Sequence, residues 1–160
     1  MKGSEFRKRL YAERVMRRAK MGDGVASRKP VRRRKEETQI QQAFIAWAQY
    51  HPILRQRLYA NPNGGYRNVL EAVSLKKSGQ KAGVSDLFLA WPCQGLHGLY
   101  LETKIPDRKK AKPTELQIAW IVESRAAGYG AEIAYGLEKL KEITTNYLEG
   151  KPFTQGDNWL

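Results

Sequence analysis

The fold is decided by two neighbouring apolar segments, GVSDLFLAW at residues 83–91 and GLYLETK at residues 98–104. Asp86 opens the first run, and Glu102 and Lys104 close the second with one residue between them. Side chains alternate between the two faces of a strand, so Glu102 and Lys104 are predicted to share one face. The two segments therefore predict paired strands that bring two carboxylates and an ammonium together.

This combination favours phosphodiester chemistry. Two carboxylates near a sheet edge repel each other unless a hard divalent cation lies between them, and such a cation beside a lysine suits the cleavage of phosphodiesters. Simpler interpretations exist for each residue: Asp86 as a polar strand start, and Glu102 and Lys104 as exposed charges on one strand face.

The charge of the chain is concentrated at its N-terminal end. The 160 residues carry a net charge of +13, and residues 1–35 hold 14 of the 29 Lys and Arg residues against three acidic ones. We interpret residues 1–35 as a basic, flexible arm, residues 36–150 as one domain and residues 151–160 as a tail. Such an arm can bind phosphates through counterion release, or it can be a solvated tail that only keeps the protein soluble.

Two compositional features exclude other classes. Cys93 is the single cysteine, so neither an intramolecular disulfide nor a multi-cysteine zinc site can form, which fits a reducing compartment. No apolar run reaches the length of a membrane span, and a soluble intracellular protein without membrane contact is expected.

The remaining pattern predicts a mixed α/β sheet flanked by helices. A helix runs from residue 36 to the stop at His51-Pro52, and a turn at residues 61–65 separates a short strand from a second helix. The predicted elements are helix 36–50, strand 57–61, helix 67–77, strands 86–91 and 98–104, helix 113–127, strand 131–135 and helix 137–148.

Asp86 followed by Glu102-Thr103-Lys104 matches the Asp…Glu-x-Lys form of the PD-(D/E)xK nuclease pattern. The tripeptide alone is common, since Glu149-Gly150-Lys151 repeats it after a helix. The wider context resembles the VRR-NUC family over roughly residues 36–149. The residues that carry this resemblance are ETQIQ at 37–41, NPNGG at 61–65, GVSD at 83–86, LETK at 101–104, Gln117 and Gly128, with Ser85 where the family often has proline.

The resemblance implies a restriction-endonuclease-like core that hydrolyses DNA with Mg²⁺ or Mn²⁺. It also implies similarity to small stand-alone phage or bacterial members, which act as homodimers on branched DNA such as four-way junctions in repair, recombination or phage replication. The expected location is the cytoplasm of a bacterial or phage-infected cell, in association with the nucleoid.

The resemblance also assigns roles within the site. Asp86 and Glu102 would hold the metal with the main-chain carbonyl of Thr103, and Lys104 would orient the attacking water or stabilise the charge developing on the phosphate. Glu37, with Glu36 as the competing assignment, would reach the site from the first helix. Gln117 would hydrogen-bond a water ligand or a DNA phosphate.

Basic residues outside the site are candidate DNA contacts, with a solvated surface as the alternative. They are Arg32, Arg33, Arg34, Arg67, Lys76, Lys77, Lys81, Arg108, Lys109, Lys110 and Lys112. The competing function is a non-catalytic nucleic-acid-binding protein with a degenerate nuclease fold.

Overall fold

The computed structural model describes residues 3–20, 31–61 and 78–154, and side chains within them at 8–17, 35–61 and 78–154. Five helices lie in these ranges: α1 (Gly3–Lys20), α2 (Val31–Ala48), α3 (Pro52–Arg57), α4 (Glu115–Ala126) and α5 (Leu137–Leu148). Across the described ranges, no helix has the length and apolar character needed to cross a membrane.

Four strands of the described chain form one mixed sheet in the order β1-β2-β3-β4, which confirms the predicted α/β class. They are β1 (Leu58–Ala60), β2 (Leu87–Leu89), β3 (Leu99–Lys104) and β4 (Gly130–Tyr135). The pairs β1/β2 and β2/β3 are antiparallel, whereas β3/β4 is parallel and is connected through α4. A parallel pair needs such a crossover connection, which places α4 against one face of the sheet.

The main core lies on the other face of the sheet. The alternating leucines of the central strands point into it, because period-2 spacing sends them to one side. The core consists of Leu87, Leu89, Leu99, Leu101 and Ala134 from the strands, with Phe44 and Ala48 from α2, Leu54 from α3, Leu140, Ile143 and Tyr147 from α5, and Phe153 after α5. Burial of this set fixes the register of β2 against β3.

Helix α4 is apolar on two sides because it lies between the sheet and α1. Ile121 packs against Ala131 and Ile133 of the sheet. A separate cluster joins Ile118, Ala119 and Val122 of α4 to Ala12 and Val15 of α1. The layers are therefore α1, α4, the sheet, and then α2 with α5.

The N-terminal region differs from its sequence-based description. Residues 3–20 form a helix, and the buried Ala12 and Val15 hold it on α4. Helix α2 begins at Val31, so the expected boundary at residue 35 lies inside a helix. The helix predicted at 67–77 lies outside the described residues.

Helix α3 was not predicted from the sequence. Pro52 restricts His51 to an extended conformation, which ends α2, and the His51 side chain then accepts hydrogen bonds from the backbone N–H groups of Ile53 and Leu54. The helix that starts there is only six residues long. A segment this short has too few positions for helical periodicity to be recognised.

Candidate active site

The site lies at the C-terminal end of β3, where three side chains share the sheet face that α4 covers. Leu99 and Leu101 point into the main core, so Tyr100, Glu102 and Lys104 point the other way. Glu102 and Lys104 are both fully buried. The predicted sharing of a face is thus present, but the alternative of two exposed charges is wrong.

Lys104 and Glu102 form a buried ion pair. The distance from Lys104 Nζ to Glu102 Oε1 is 2.5 Å. Burial lowers the pKa of Lys104, but the Glu102 carboxylate and its hydrogen bond, together with the charges of Glu37 and Asp86, outweigh burial and raise it above its usual value. Lys104 is therefore an ammonium ion at neutral pH, facing three carboxylates.

Gln117 of α4 completes the contacts of this pair. Its side-chain amide donates to Glu102 Oε1, and its carbonyl oxygen accepts from Lys104 Nζ at 3.1 Å. The same oxygen accepts the Thr114 backbone N–H at 2.9 Å, while Thr114 Oγ1 accepts the Gln117 N–H at 3.3 Å. This reciprocal capping box begins α4 and fixes Gln117 in the site.

Asp86 is held beside Glu102 by the pairing of β2 with β3. Leu87 pairs with Leu101, so the register extended by one residue sets Asp86 opposite Glu102. Asp86 Oδ2 accepts the backbone N–H of Thr103 at 3.0 Å. The backbone of Asp86 is fixed from the other side, because its carbonyl oxygen accepts the Asn61 N–H at 2.8 Å.

Glu37 comes from α2, on the other side of β3. It is buried, with 7% of its surface exposed, and its charge acts on Lys104. Glu36 is more exposed than Glu37. The structure therefore brings Glu37, rather than its neighbour, towards the site.

The acidic side chains of the site have the oxygen atoms that a hard cation prefers, but they are not arranged around one point as metal ligands are. Asp86, Glu102 and Glu37 offer carboxylate oxygens, which are the ligands that Mg²⁺ and Mn²⁺ prefer. Within the described ranges, no three His, Cys, Asp or Glu side chains are grouped closely enough to hold a metal ion. Lys104 Nζ instead lies against Glu102. The group thus offers three carboxyl side chains to one lysine.

The basic residues that were predicted to contact DNA fall into two groups. Arg108, Lys109, Lys110, Lys112 and Lys81 are exposed. Arg67, Lys76 and Lys77 lie outside the described residues, as do the side chains of Arg32, Arg33 and Arg34, whose backbone belongs to α2.

The loop after β3 is partly ordered by its own contacts. Arg108 lies over the Tyr135 ring, 4.6 Å from its centroid. Asp107 Oδ1 accepts the backbone N–H groups of Lys109 and Lys110, and Lys110 Nζ lies 3.1 Å from Asp107 Oδ2. The loop thus presents its cations from a defined turn next to the Lys104 end of β3.

Two residues that support the site were not singled out from the sequence for that role. Asn61 donates its side-chain amide to Ser85 O at 2.8 Å, besides its backbone bond to Asp86. Thr114 supports Gln117 as described, and the spacing Thr-x-x-Gln before an apolar helix is a sequence signal that could have identified it. The contacts of Asn61 with Ser85 and Asp86 join residues that are far apart in the sequence, so no local sequence pattern indicates them.

An α/β sheet with Asp86 just before one strand and Glu102-Thr103-Lys104 at the end of its neighbour defines the Asp…Glu-x-Lys class of nuclease-like folds. The family model of the VRR-NUC domain matches residues 24–138. This chain therefore belongs to the VRR-NUC family, a family of nucleases, for which DNA is the substrate.

A solved structure described as a "VRR_NUC domain protein" has the same fold. It superimposes with a TM-score of 0.60 at 23% sequence identity, over 73% of this chain and 91% of that one. No curated protein matches the chain.

Proposed function

We propose that the protein is a metal-dependent DNA endonuclease that hydrolyses phosphodiester bonds at the Glu102–Lys104 site. The observation that carries this proposal is a fully buried lysine, paired with Glu102 and surrounded by the charges of Glu37 and Asp86, at a strand end in a nuclease-family fold. A buried ion pair is costly to desolvate and is a weak source of stability, so such a cluster favours a functional role.

Mg²⁺ or Mn²⁺ would be held by Asp86 and Glu102, with the Thr103 carbonyl oxygen and Glu37 as further donors. When bound, such an ion neutralises phosphate charge and makes a water molecule easier to deprotonate. The fit rests on the donor chemistry and on the excess of carboxylates over ammonium groups.

Lys104 would act on the reacting phosphate. Its ammonium donates hydrogen bonds to Glu102 and Gln117, so both contacts fix the position of Nζ. Hydrolysis adds a water oxygen to phosphorus and breaks the bond to one ester oxygen, with negative charge developing on the non-bridging oxygens. A preorganised cation at this place stabilises that charge.

Gln117 acts as a positioning residue in this scheme. Its carbonyl oxygen is shared between Lys104 Nζ and the Thr114 N–H, and its amide donates to Glu102. The helix cap holds the carbonyl oxygen of this side chain while its amide bonds Glu102, so Gln117 keeps the acid and the lysine in fixed positions without itself changing charge. Its loss would loosen both groups together.

Branched DNA as the substrate and a homodimer as the active form are part of the same proposal. The support is the resemblance to small stand-alone VRR-NUC members. The exposed cations at 108–112 and Lys81 would contact the phosphates that flank the cut. Two symmetric incisions in a four-way junction require two sites, which a dimer with twofold symmetry would provide.

The test compares wild type, Lys104→Ala and the surface control Lys139→Ala on a labelled four-way junction and a matched linear duplex, each with Mg²⁺, Mn²⁺ or EDTA. We expect paired, metal-dependent nicks on the junction for wild type and Lys139→Ala, and binding without cleavage for Lys104→Ala. Circular dichroism checks that Lys104→Ala folds, since it leaves the Glu102 charge buried.

Two other results of this cleavage assay would change the proposed function. Equal cleavage of junction and linear duplex would retain the nuclease and remove the structural selectivity. Binding without cleavage by wild type in every metal would identify the competing function, a non-catalytic DNA-binding protein.

A further inference from the structure

Four aromatic side chains form a continuous strip across the sheet, on the face opposite the main core. The aromatic strip consists of Tyr59 on β1, Phe88 on β2, Tyr100 on β3 and Tyr129 just before β4. Ring centroids lie 5.7 Å apart for Tyr59 and Phe88, 4.3 Å for Phe88 and Tyr100, and 5.5 Å for Tyr100 and Tyr129. Aromatic rings in contact at such distances support one another's positions.

The register of the sheet creates this strip. Tyr59 pairs with Phe88, and Phe88 pairs with Tyr100, so the three rings stand side by side on adjacent strands. Gly98 leaves room for Phe88, because a Cβ at this position would lie 2.8 Å from the Phe88 ring. The arrangement is built by the strands themselves and requires no loop to hold it.

The aromatic strip is continuous with the site. Tyr100 precedes Glu102 by two residues and Phe88 follows Asp86 by two, so each ring shares the face of its acidic neighbour. At about 3.3 Å per residue, each ring lies roughly 7 Å along the strand from the carboxylate. This separation is about twice the spacing between successive bases in a stacked strand.

The strip is also open at its β1 end. Tyr59 has 51% of its surface exposed, and Phe88, Tyr100 and Tyr129 are half-buried. The opposite face of β2 and β3 buries leucines completely. The strip therefore provides apolar surface at its β1 end, whereas the Tyr100 ring packs edge-on against Trp120 of α4, with the centroids 5.5 Å apart.

We propose that the aromatic strip stacks the unpaired bases of a DNA strand whose backbone enters the Glu102–Lys104 site. This proposal rests on the proposed function and specifies its substrate as DNA with unpaired nucleotides next to the cut. Every base has a π-face, so stacking on aromatic rings accepts any sequence. The net charge of +13 and the exposed cations of the 108–112 loop favour a polyanion over an apolar partner.

The test measures binding of a single-stranded oligonucleotide with one 2-aminopurine base, in EDTA so that no cleavage occurs. Base–aromatic stacking contributes about 1–3 kcal/mol per base, so Tyr59→Ala should weaken binding by roughly 5- to 150-fold and reduce the quenching of 2-aminopurine. Tyr59→Phe should bind within about twofold of wild type, because it keeps the ring. Tyr50→Ala is the matched control, since Tyr50 is 91% exposed at the end of α2 and outside the strip. Binding of a blunt duplex should be unchanged in all variants.

Three results would overturn the proposal. They are wild-type affinity for Tyr59→Ala, equal weakening by Tyr59→Ala and Tyr50→Ala, and equal weakening on the single strand and the blunt duplex. Sedimentation of the same samples adds another: a dimer that Tyr59→Ala converts to monomers without loss of single-strand affinity would show that a second copy covers the strip. Because the assay is metal-free, its outcome is independent of whether the protein cleaves DNA.

Discussion

Lys104 is the residue around which the site is organised. Its ammonium ion is fully buried, and removing such an ion from water costs several kcal/mol, which two hydrogen bonds and nearby carboxylates must offset. The sequence predicted that Glu102 and Lys104 share a face, since that follows from strand periodicity alone. It could not predict their complete burial, because burial depends on how α4 packs across β3.

Conservative substitutions distinguish Glu37 from Glu36 as the site residue. We expect Glu37→Gln to slow single-turnover DNA cleavage by about 10- to 100-fold, because it removes a buried carboxylate whose charge acts on Lys104. Glu36→Gln is the adjacent control and should stay within about twofold of wild type. The reverse pattern of rates would assign the role to Glu36.

Gly83 sets the turn that precedes Asp86. It has a φ of +86°, and a Cβ there would lie 2.7 Å from the carbonyl oxygen of Leu116 in α4. Gly79 has a similar φ of +93°, but a Cβ added there would have no atom within 4 Å. An alanine at Gly79 would therefore show the cost of backbone strain without a steric clash.

We expect Gly79→Ala to lower the free energy of unfolding by about 1–2 kcal/mol, and Gly83→Ala to lower it by roughly 3 kcal/mol or more. Urea denaturation measures both. Equal destabilisation would mean that the close approach of this turn to α4 contributes nothing.

Among the elements, α4 connects the core to the site. Its N-terminal capping box holds Gln117, and its two apolar sides contact the sheet and α1. The sequence predicted the helix and its start, since Pro113-Thr114-Glu115 and the apolar pattern are local signals. The packing of α1 on α4 was not predicted. A few apolar residues in a basic segment do not indicate which part of the protein that segment packs against.

Helix α5 offers a test of stability against pH. Tyr147 is fully buried, its hydroxyl donates to the Trp91 carbonyl oxygen at 2.8 Å, and burial raises its pKa to about 12. The folded-state pKa lies above the unfolded value of about 10, so the stability that this phenol contributes is complete below about pH 10 and is lost as the pH rises towards 12.

Tyr147→Phe should therefore make the free energy of unfolding fall less steeply above about pH 10, by up to roughly 1.4 kcal/mol per pH unit. At neutral pH the variant should be less stable by about 1 kcal/mol, because the hydrogen bond is lost. Urea titrations at several pH values measure both effects, with Tyr50→Phe as an exposed control. Parallel curves for wild type and Tyr147→Phe would contradict this assignment.

Over the whole molecule, positive charge is concentrated on the N-terminal segment, whereas the site itself is acidic. Helix α1 is partly buried through Ala12 and Val15, so deleting it would disturb α4 as well as remove charge. Its exposed Arg14 and Arg17 allow the charge to be tested without that disturbance.

We expect the double variant Arg14→Gln/Arg17→Gln to weaken duplex binding. It should also reduce the slope of log affinity against log salt by about one for each phosphate that the protein no longer neutralises. Lys139→Gln/Lys141→Gln removes the same charge from α5, where both lysines form ion pairs with glutamates, and should change the slope little. Equal slopes for the two double variants would show that total charge, rather than its placement on α1, controls binding.

Glu102→Gln shows whether the cluster at the end of β3 cleaves DNA. The substitution keeps the shape of the side chain and removes its charge, while Lys104 and Gln117 remain. Single-turnover cleavage of one labelled junction in Mn²⁺ should fall by at least about a hundredfold, with DNA affinity close to wild type. Circular dichroism checks that Glu102→Gln folds, since it leaves the Lys104 charge buried beside a neutral amide. Cleavage by Glu102→Gln within about twofold of the wild-type rate would place the chemistry elsewhere in the chain.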